Sequence, residues 1–576
     1  MLVGVVLVFV ALPGVAWAAP GCVVTYGTNA WPGGFTAAVT IKNTGDRVDG
    51  WTLRFDFTAG QTITHGWSAR WSQSGARVQA ANEPHNRVLA PGATVTIGFN
   101  GRRTGGNPPP DRFTLNGTTC GGPPSPSPSP TPSPSPSPSP SPSPSPSPSP
   151  SPSPSPSPSP SPGRVDNPYL GARGYLNPDY VAQVDAAATA TGGEVGTAMR
   201  KVAFQPTALW LDSMAAIGSV RGGLGLRQHL DRALVQALSQ GNMDPVVVTL
   251  VVSDLPGKDC TSIASTAEFP MTADGVAAYK NQFLDPIAAI LDDPRYAPLR
   301  IVTLVEPETL GSMVSWPQEP PCVEARTSGV YVQGIRQAIA TLGAVPNVYV
   351  YLDAARSSVT GWTEVSGPLI DLFGEVVEGT PGVHGFVTNV ANYVPVEEIF
   401  LPDTTKLVAG APLYWTRWVD WNPHIDEDDY TRFLRAALIE AGFPSDIGTL
   451  IDTSRNGWGG SARPAAVSAS FDVNTYVDQS RLDRRINRYN WCNQLNAGIG
   501  ERPAAAPRPG VDAYIWARPP GESDGASDGP NRWCDPNYTP PSGGWRPSGA
   551  TPGAPGYGIF WPSYFRDLVR NAYPPL

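Results

Sequence analysis

The sequence predicts a multidomain chain in which an all-β sandwich is joined by an extended spacer to an α/β barrel. Three observations carry that prediction. Between Cys22 and Cys120 short runs such as FTAAVTIKN and WTLRFDF alternate apolar and polar residues and are separated by Gly, Asn and Pro, the pattern of a half-buried β-sandwich strand set. From Ser125 to Pro162 the chain is almost pure Ser-Pro, which cannot bury a core. From Arg164 to Leu576 apolar strand-like runs alternate with amphipathic segments, the signature of repeated βα units.

In chain order, residues 2–17 form a short apolar run ending in Ala16-Trp17-Ala18. Its length and small-residue end fit a secretory signal over 1–18, although a basic leading region is missing. Secretion, and no membrane attachment after cleavage, are therefore expected. The six cysteines agree with export and fall two per segment, at Cys22 and Cys120, Cys260 and Cys322, Cys492 and Cys534. Six cysteines allow fifteen pairings, of which pairing within segments is the economical one. No Cys-x-x-Cys or His cluster stands in the chain, so no metal is expected. A net charge of −9 leaves no basic face for phosphate, so a nucleic-acid partner is not expected. The 17 Trp suit a partner with flat apolar faces, such as sugar rings.

The sandwich is assigned to 19–121, the spacer to 122–163 and the barrel to 164–576. As polyproline helix the spacer's Ser-Pro run, 125–162, reaches at most about 120 Å. Within the barrel VVVTLVVSDLP, RIVTLVEPE, VYVYLDAAR and GFVTNVANY read as buried strands, with GVAAYKNQFLDPIAAIL and VYVQGIRQAIATLG as helices between them. The strands end in Asp254 and Asp259, Glu306 and Glu308, Asp353, and Asn389 and Asn392. In α/β barrels the residues after such strands converge on one face. The stretch IVTLVEPETL is central, because in an extended chain Glu306 and Glu308 would point the same way. Two carboxyl groups are the minimum for hydrolysing a glycosidic bond, one giving a proton to the leaving oxygen and the other assisting water or attacking carbon.

Segment 22–120 resembles the cellulose-binding modules of carbohydrate-binding family 2 through its terminal cysteines and the motifs AWPGGF, GWTLRFDF, GWSARWSQSG, LAPGATVTIGFNG and FTLNGTTC. The resemblance implies that Trp31 and Trp67 belong to a flat cellulose-binding platform and that Trp51 is buried. The third platform tryptophan falls on His85, and Trp71 is an additional aromatic close to Trp67.

The C-terminal segment resembles glycoside hydrolase family 6, above all its exo-acting actinobacterial cellulases, through TALWLD, SDLPGKDCTSIAS, VEPETL, VYLDA, VTNVANY, LIDTSRNGWGG, NWCNQ, GERP and PPGESDGASD. The resemblance implies a distorted TIM-like barrel and an inverting enzyme that releases cellobiose from non-reducing ends of cellulose. No cofactor and a monomeric chain are expected. Carried over, Glu308 takes the place of the general acid, Asp259 that of the aspartate keeping it protonated, Asp524 that of the proposed base, and Ser265 that of the serine holding the attacking water. Trp210, Asp212, Asp353, Trp362, Asn392, Trp491, Arg518 and Glu522 fall at sugar-binding positions. The long segments 461–478 and 528–558 would roof the cleft, and an open cleft would instead mark an endo-β-1,4-glucanase.

Several positions depart from the family. Glu308 replaces Asp, Ser253 replaces the tyrosine tied to sugar distortion, Lys258 replaces Arg, and Arg356 and Val359 stand where histidine and tryptophan are usual. These changes cluster at the cleavage point, and they raise the alternative of a catalytically weakened glucan-binding homologue.

Overall fold

The computed structural model describes residues 21–31, 33–83, 86–103, 105–121, 164–239, 244–258, 260–261, 267–538 and 547–576. The expected signal segment 1–18, the spacer 122–163, His85, Asp259 and Ser265 lie outside the described residues, as do the side chains of Trp31 and Trp67. The chain divides into two compact units, each described by itself.

The first unit is an antiparallel sandwich. One sheet orders Cys22–Trp31, Gly34–Asn43, Thr94–Arg102 and Thr62–Trp67, and the other orders Thr118–Thr119, Thr114–Leu115, Thr52–Asp56, Arg77–Ala81 and Arg70–Ser74. Alternation does the sorting: Leu53 and Phe55 point inward with Val78 and Ala80, while Arg54 and Asp56 face water. Trp51 is buried as expected, its indole N–H donating to the Asn86 carbonyl at 2.8 Å. Trp71 is half-buried, its ring 4.8 Å from that of Phe99. It lies so close over Gly66 that a Cβ there would come within 2.2 Å of the indole, so glycine is required. Cys22–Cys120, Cys260–Cys322 and Cys492–Cys534 are bonded, which is the within-segment pairing.

The second unit is built on a curled sheet in the order Arg173–Gly174, Val246–Val252, Arg300–Val305, Val348–Asp353, Val383–Thr388, Gly448–Asp452, Val511–Ile515 and Ala504–Arg508, with Leu209–Leu211 pairing Val246–Val252. All these pairs are parallel except Ala504–Arg508 on Val511–Ile515. The strands are rich in β-branched residues and buried on both faces, as parallel sheets require. One face, with Val248, Leu250, Ile301 and Val350, packs on the surrounding helices. The other, with Val247, Val251, Val302, Leu304 and Tyr351, fills the barrel interior.

The expected barrel is distorted in a specific way. Leu209–Leu211 and Val511–Ile515 are not paired as strands, and the seam between them is crossed by the Ala208 N–H to the Trp516 carbonyl at 3.0 Å and the Trp210 indole to the Ala517 carbonyl at 2.7 Å. The distorted TIM-like barrel is thus realised as a curled, incompletely paired sheet and not as a closed TIM barrel, and its opening lies beside the site. Among the described residues no helix is long and apolar enough to cross a membrane.

Candidate active site

The strand Arg300–Val305 ends one residue before Glu306, and both Glu306 and Glu308 take left-handed backbone angles, with φ of 50° and 64°. The expectation that the two carboxylates share a direction is therefore wrong, because neither residue is extended. Glu306 is buried and accepts from the Asp254 N–H at 2.9 Å and the Tyr279 hydroxyl at 2.8 Å. It joins adjacent strand ends. Glu308 turns the other way, with its side chain 23% exposed, and its Oε1 meets Arg356 Nη1 at 2.5 Å and Asn392 Nδ2 at 3.0 Å.

Asp353 fixes this turn from below. Its Oδ1 accepts the Glu308 N–H at 2.7 Å and the Ala355 N–H at 2.8 Å. Burial, and then the Glu308 charge, push its carboxyl well above the ordinary range. Asp353 is thus a support for the Glu308 backbone. Arg356 is buried and steadied by Ser358 at 3.1 Å, on a loop that Glu427 holds by accepting the Ser357 N–H at 2.8 Å. The neighbouring Val359 is in the core.

A second carboxylate, Asp524, lies within a ring of donors. Arg455 Nη1 reaches both its oxygens at 2.9 Å, the Tyr393 hydroxyl donates at 3.0 Å and the Asn493 N–H at 2.8 Å. Burial works against the Arg455 charge, but Asp524 with the neighbouring tyrosines more than offsets it and raises the guanidinium above its ordinary value. The consecutive residues Asn392 and Tyr393 thus hold Glu308 and Asp524 respectively. One loop sets the spacing of the two carboxyl groups.

Beside the seam, Asp212 pairs with Arg221 at 2.8 Å, and Glu522 lies 3.7 Å from Arg518 and 3.9 Å from Arg221. The Arg518 guanidinium stands between Trp210, at 4.9 Å from its ring, and Tyr557, at 4.7 Å. A cavity of about 240 Å³ opens here, lined by Asp179, Tyr180, Trp210, Arg221 and Glu522. Arg518 is enclosed and Glu522 nearly so, so in this structure they act first as supports of the wall. Lys258 ties the strand ends together through the Asp212 and Ser253 carbonyls, at 2.9 and 2.7 Å. Cys534 is fixed here by its bond to Cys492, and Gly558 by its N–H to the Ser523 carbonyl at 2.9 Å.

Trp362 stacks on Tyr489, the rings 5.5 Å apart and within 2° of parallel, while Trp491 is half-buried on the neighbouring segment. The structure therefore gathers Glu308, Asp353 and Asn392 in one group and Trp210, Asp212, Arg518, Glu522 and Asp524 in another, linked through 391–393. Sequence reasoning found the motifs containing Tyr393 and Arg455 without assigning those residues a role, and it missed Arg221 and Tyr557. The signal for Arg455 was an arginine at a strand end in LIDTSRNGWGG.

Buried carboxyl groups give this unit a pH dependence. Burial, the largest cause in each case, pushes Glu306 to about 7, Glu427 to about 7 and Glu398 to about 8. In the unfolded chain these groups ionise near 4.3. Between those values the folded state holds more protons, so stability falls as pH rises through about 4 to 8. The thermal midpoint is expected to be lower at pH 8 than at pH 5.5, and Glu427→Gln should flatten that slope; calorimetry at the two pH values checks both.

Residues 22–120 match the family described as cellulose binding domain, and residues 169–572 match glycosyl hydrolases family 6. Exoglucanase A of Cellulomonas fimi is 45% identical over 428 residues, which are 71% of this chain and 49% of that protein. The chain thus spans about half the length of that relative. A probable 1,4-beta-D-glucan cellobiohydrolase C of Aspergillus fumigatus is 31% identical over 71% of this chain and 78% of its own length. The solved catalytic domain of Cellulomonas fimi Cel6B superposes with a TM-score of 0.70 at 44% identity, covering 72% of this chain and 97% of that one. With the match running over most of the chain and the carboxylate-lined rim at the expected strand ends, this chain belongs to glycosyl hydrolase family 6.

Proposed function

We propose that this chain is a secreted cellulase that hydrolyses β-1,4-glucosidic bonds with inversion, releasing cellobiose from non-reducing chain ends. The observation that supports this best is the pair Glu308 and Asp524, held apart by consecutive residues of one loop. Glu308, when protonated, gives its proton to the leaving glycosidic oxygen. A water on the opposite face of the sugar attacks the anomeric carbon and passes its proton to Asp524, directly or through a second water. An inverting site needs room for that water between its carboxyl groups. Asn392 steadies the acid, Asp353 its backbone, and Arg455 with Tyr393 the base. Asp259 and Ser265 keep the roles the resemblance implies, as acid modulator and water holder. Trp491, half-exposed, stacks on a glucosyl ring, while the buried Trp210 and Trp362, covered by Arg518 and by Tyr489, serve the sugar site as its walls, and Trp31 and Trp67 anchor the module to cellulose. The relatives' names favour exo action over an open endo-acting cleft.

One observation favours the weakened homologue: Oε1 of Glu308 is already engaged by Arg356 at 2.5 Å and by Asn392 at 3.0 Å, so that oxygen is turned to the protein and not to a leaving glycosidic oxygen. Incubation with cellohexaose and amorphous cellulose, following products by chromatography and anomer by polarimetry, decides between them. Cellobiose formed first as the α-anomer supports the inverting exo-cellulase. No turnover by the native chain, with activity gained in Glu308→Asp/Arg356→His, would instead assign a binding protein.

A further inference from the structure

The segment after the Ala411–Pro412 strand carries an aromatic cluster that neither carboxylate group of the cleft uses. Tyr414, Trp415 and Trp421 lie with ring centroids 6.0, 5.1 and 6.1 Å apart. Trp415 is 55% exposed and Trp421 63%. Their neighbours Trp418 and Val419 are buried instead, with the Arg481 guanidinium 3.8 Å over the Trp418 ring. The two outward indoles are thus selected from a segment that buries its other apolar residues.

The backbone beneath them is held firmly. Asp420 and Trp421 both sit in the left-handed region, with φ of 50° and 62°, a conformation unfavourable for a non-glycine residue. The Trp421 N–H donates to the Tyr414 carbonyl at 2.8 Å, Arg488 to the Val419 carbonyl at 3.0 Å and the Asn422 amide to the Ser357 carbonyl at 2.8 Å. A strained turn that is overdetermined by three such contacts, and that leaves two indoles in water, is the pattern of a binding feature.

The cluster is continuous with the cleft loop. The Asp420 carbonyl accepts the Trp362 indole N–H at 2.7 Å, and Trp362 lies six residues beyond Arg356, which contacts Glu308. Two indoles are too small for a protein partner, since a stable interface needs about 800 Å² per side. Flat aromatic faces of this size suit pyranose rings in a chain, with exposed Arg417 and Asp420 beside them for hydroxyl groups.

We infer that Trp415 and Trp421, with Tyr414, form an accessory binding site for a β-1,4-glucan chain, extending the cleft outward beyond Trp362. The inference rests on the reading of the substrate as a β-1,4-glucan. Its test is native gel electrophoresis in gels containing soluble hydroxyethylcellulose, on full-length chains carrying Trp31→Ala and Trp67→Ala so that the module does not dominate retention. Adding Trp415→Ala and Trp421→Ala is expected to weaken apparent affinity at least about fivefold, with Tyr at both positions restoring most of it and the thermal midpoint unchanged. Unchanged retardation in the Ala variant overturns the site. So does a concentration-dependent dimer, seen by light scattering, that the Ala pair abolishes, because the patch would then serve a second copy. Retardation lost with the Ala pair in a chain that hydrolyses nothing would support this site while removing the proposed activity.

Discussion

Glu308→Gln is expected to lower kcat/KM on cellohexaose by about 10²–10⁴-fold, the usual contribution of general acid catalysis. The substitution keeps the length of the side chain and an oxygen that can still accept from Arg356 and Asn392, the two donors on Oε1. It removes the proton. The loss corresponds to about 3–5 kcal/mol in the barrier. It should shrink sharply on β-cellobiosyl fluoride, because fluoride departs with little protonic help. The two substrates therefore separate the chemistry from simple damage to the fold. An equal loss on both would mean that Glu308 shapes the cleft without serving as the acid.

Arg455→Met is expected to have the largest effect on stability. The Arg455 side chain is fully buried and that of Asp524 is only 5% exposed, so removing Arg455 leaves an interior carboxylate with only the more distant Arg518, at 3.9 Å, as a cationic neighbour. Breaking such a pair typically costs about 3–5 kcal/mol. Arg455 also donates to the Ala391 carbonyl and lies 4.4 Å from the Tyr393 ring, so the loop that spaces the two carboxylates would lose a support. Arg455→Met/Asp524→Asn should recover a large part of the loss, because no uncompensated charge then remains, while activity stays absent. Urea denaturation of the catalytic unit's transition, read beside turnover of cellohexaose, checks both parts. A double variant no more stable than the single one would show that Arg455 acts through packing and not through its charge.

These two residues also mark how far the chain could be read. Glu308 was legible because a run of β-branched residues ends at Pro307, and a buried parallel strand delivers the residues after its C-terminal end to the barrel rim. Its relation to Glu306 was not legible, since alternation describes extended backbone and both residues are left-handed. Arg356 was visible only as a departure from the family. Its contact with Glu308 joins residues from separate strand ends, which no local pattern encodes. Arg455 lies 69 residues from Asp524 and was likewise hidden.

By itself the sequence determined the sandwich, the βα repeat, the family and the rim on which the polar residues gather. Those rest on hydrophobic period, composition and long motifs, all of which are local along the chain. Tertiary structure alone decided that the barrel seam stays largely unpaired, that Glu306 supports while Glu308 faces the cleft, and that Asn392 and Tyr393 hold one carboxylate each. It also decided that two tryptophans of the 413–421 segment stand in water while a third is buried. Each of these is an outcome of packing between distant segments, where burial and ion pairing act across space with no period in the sequence to announce them.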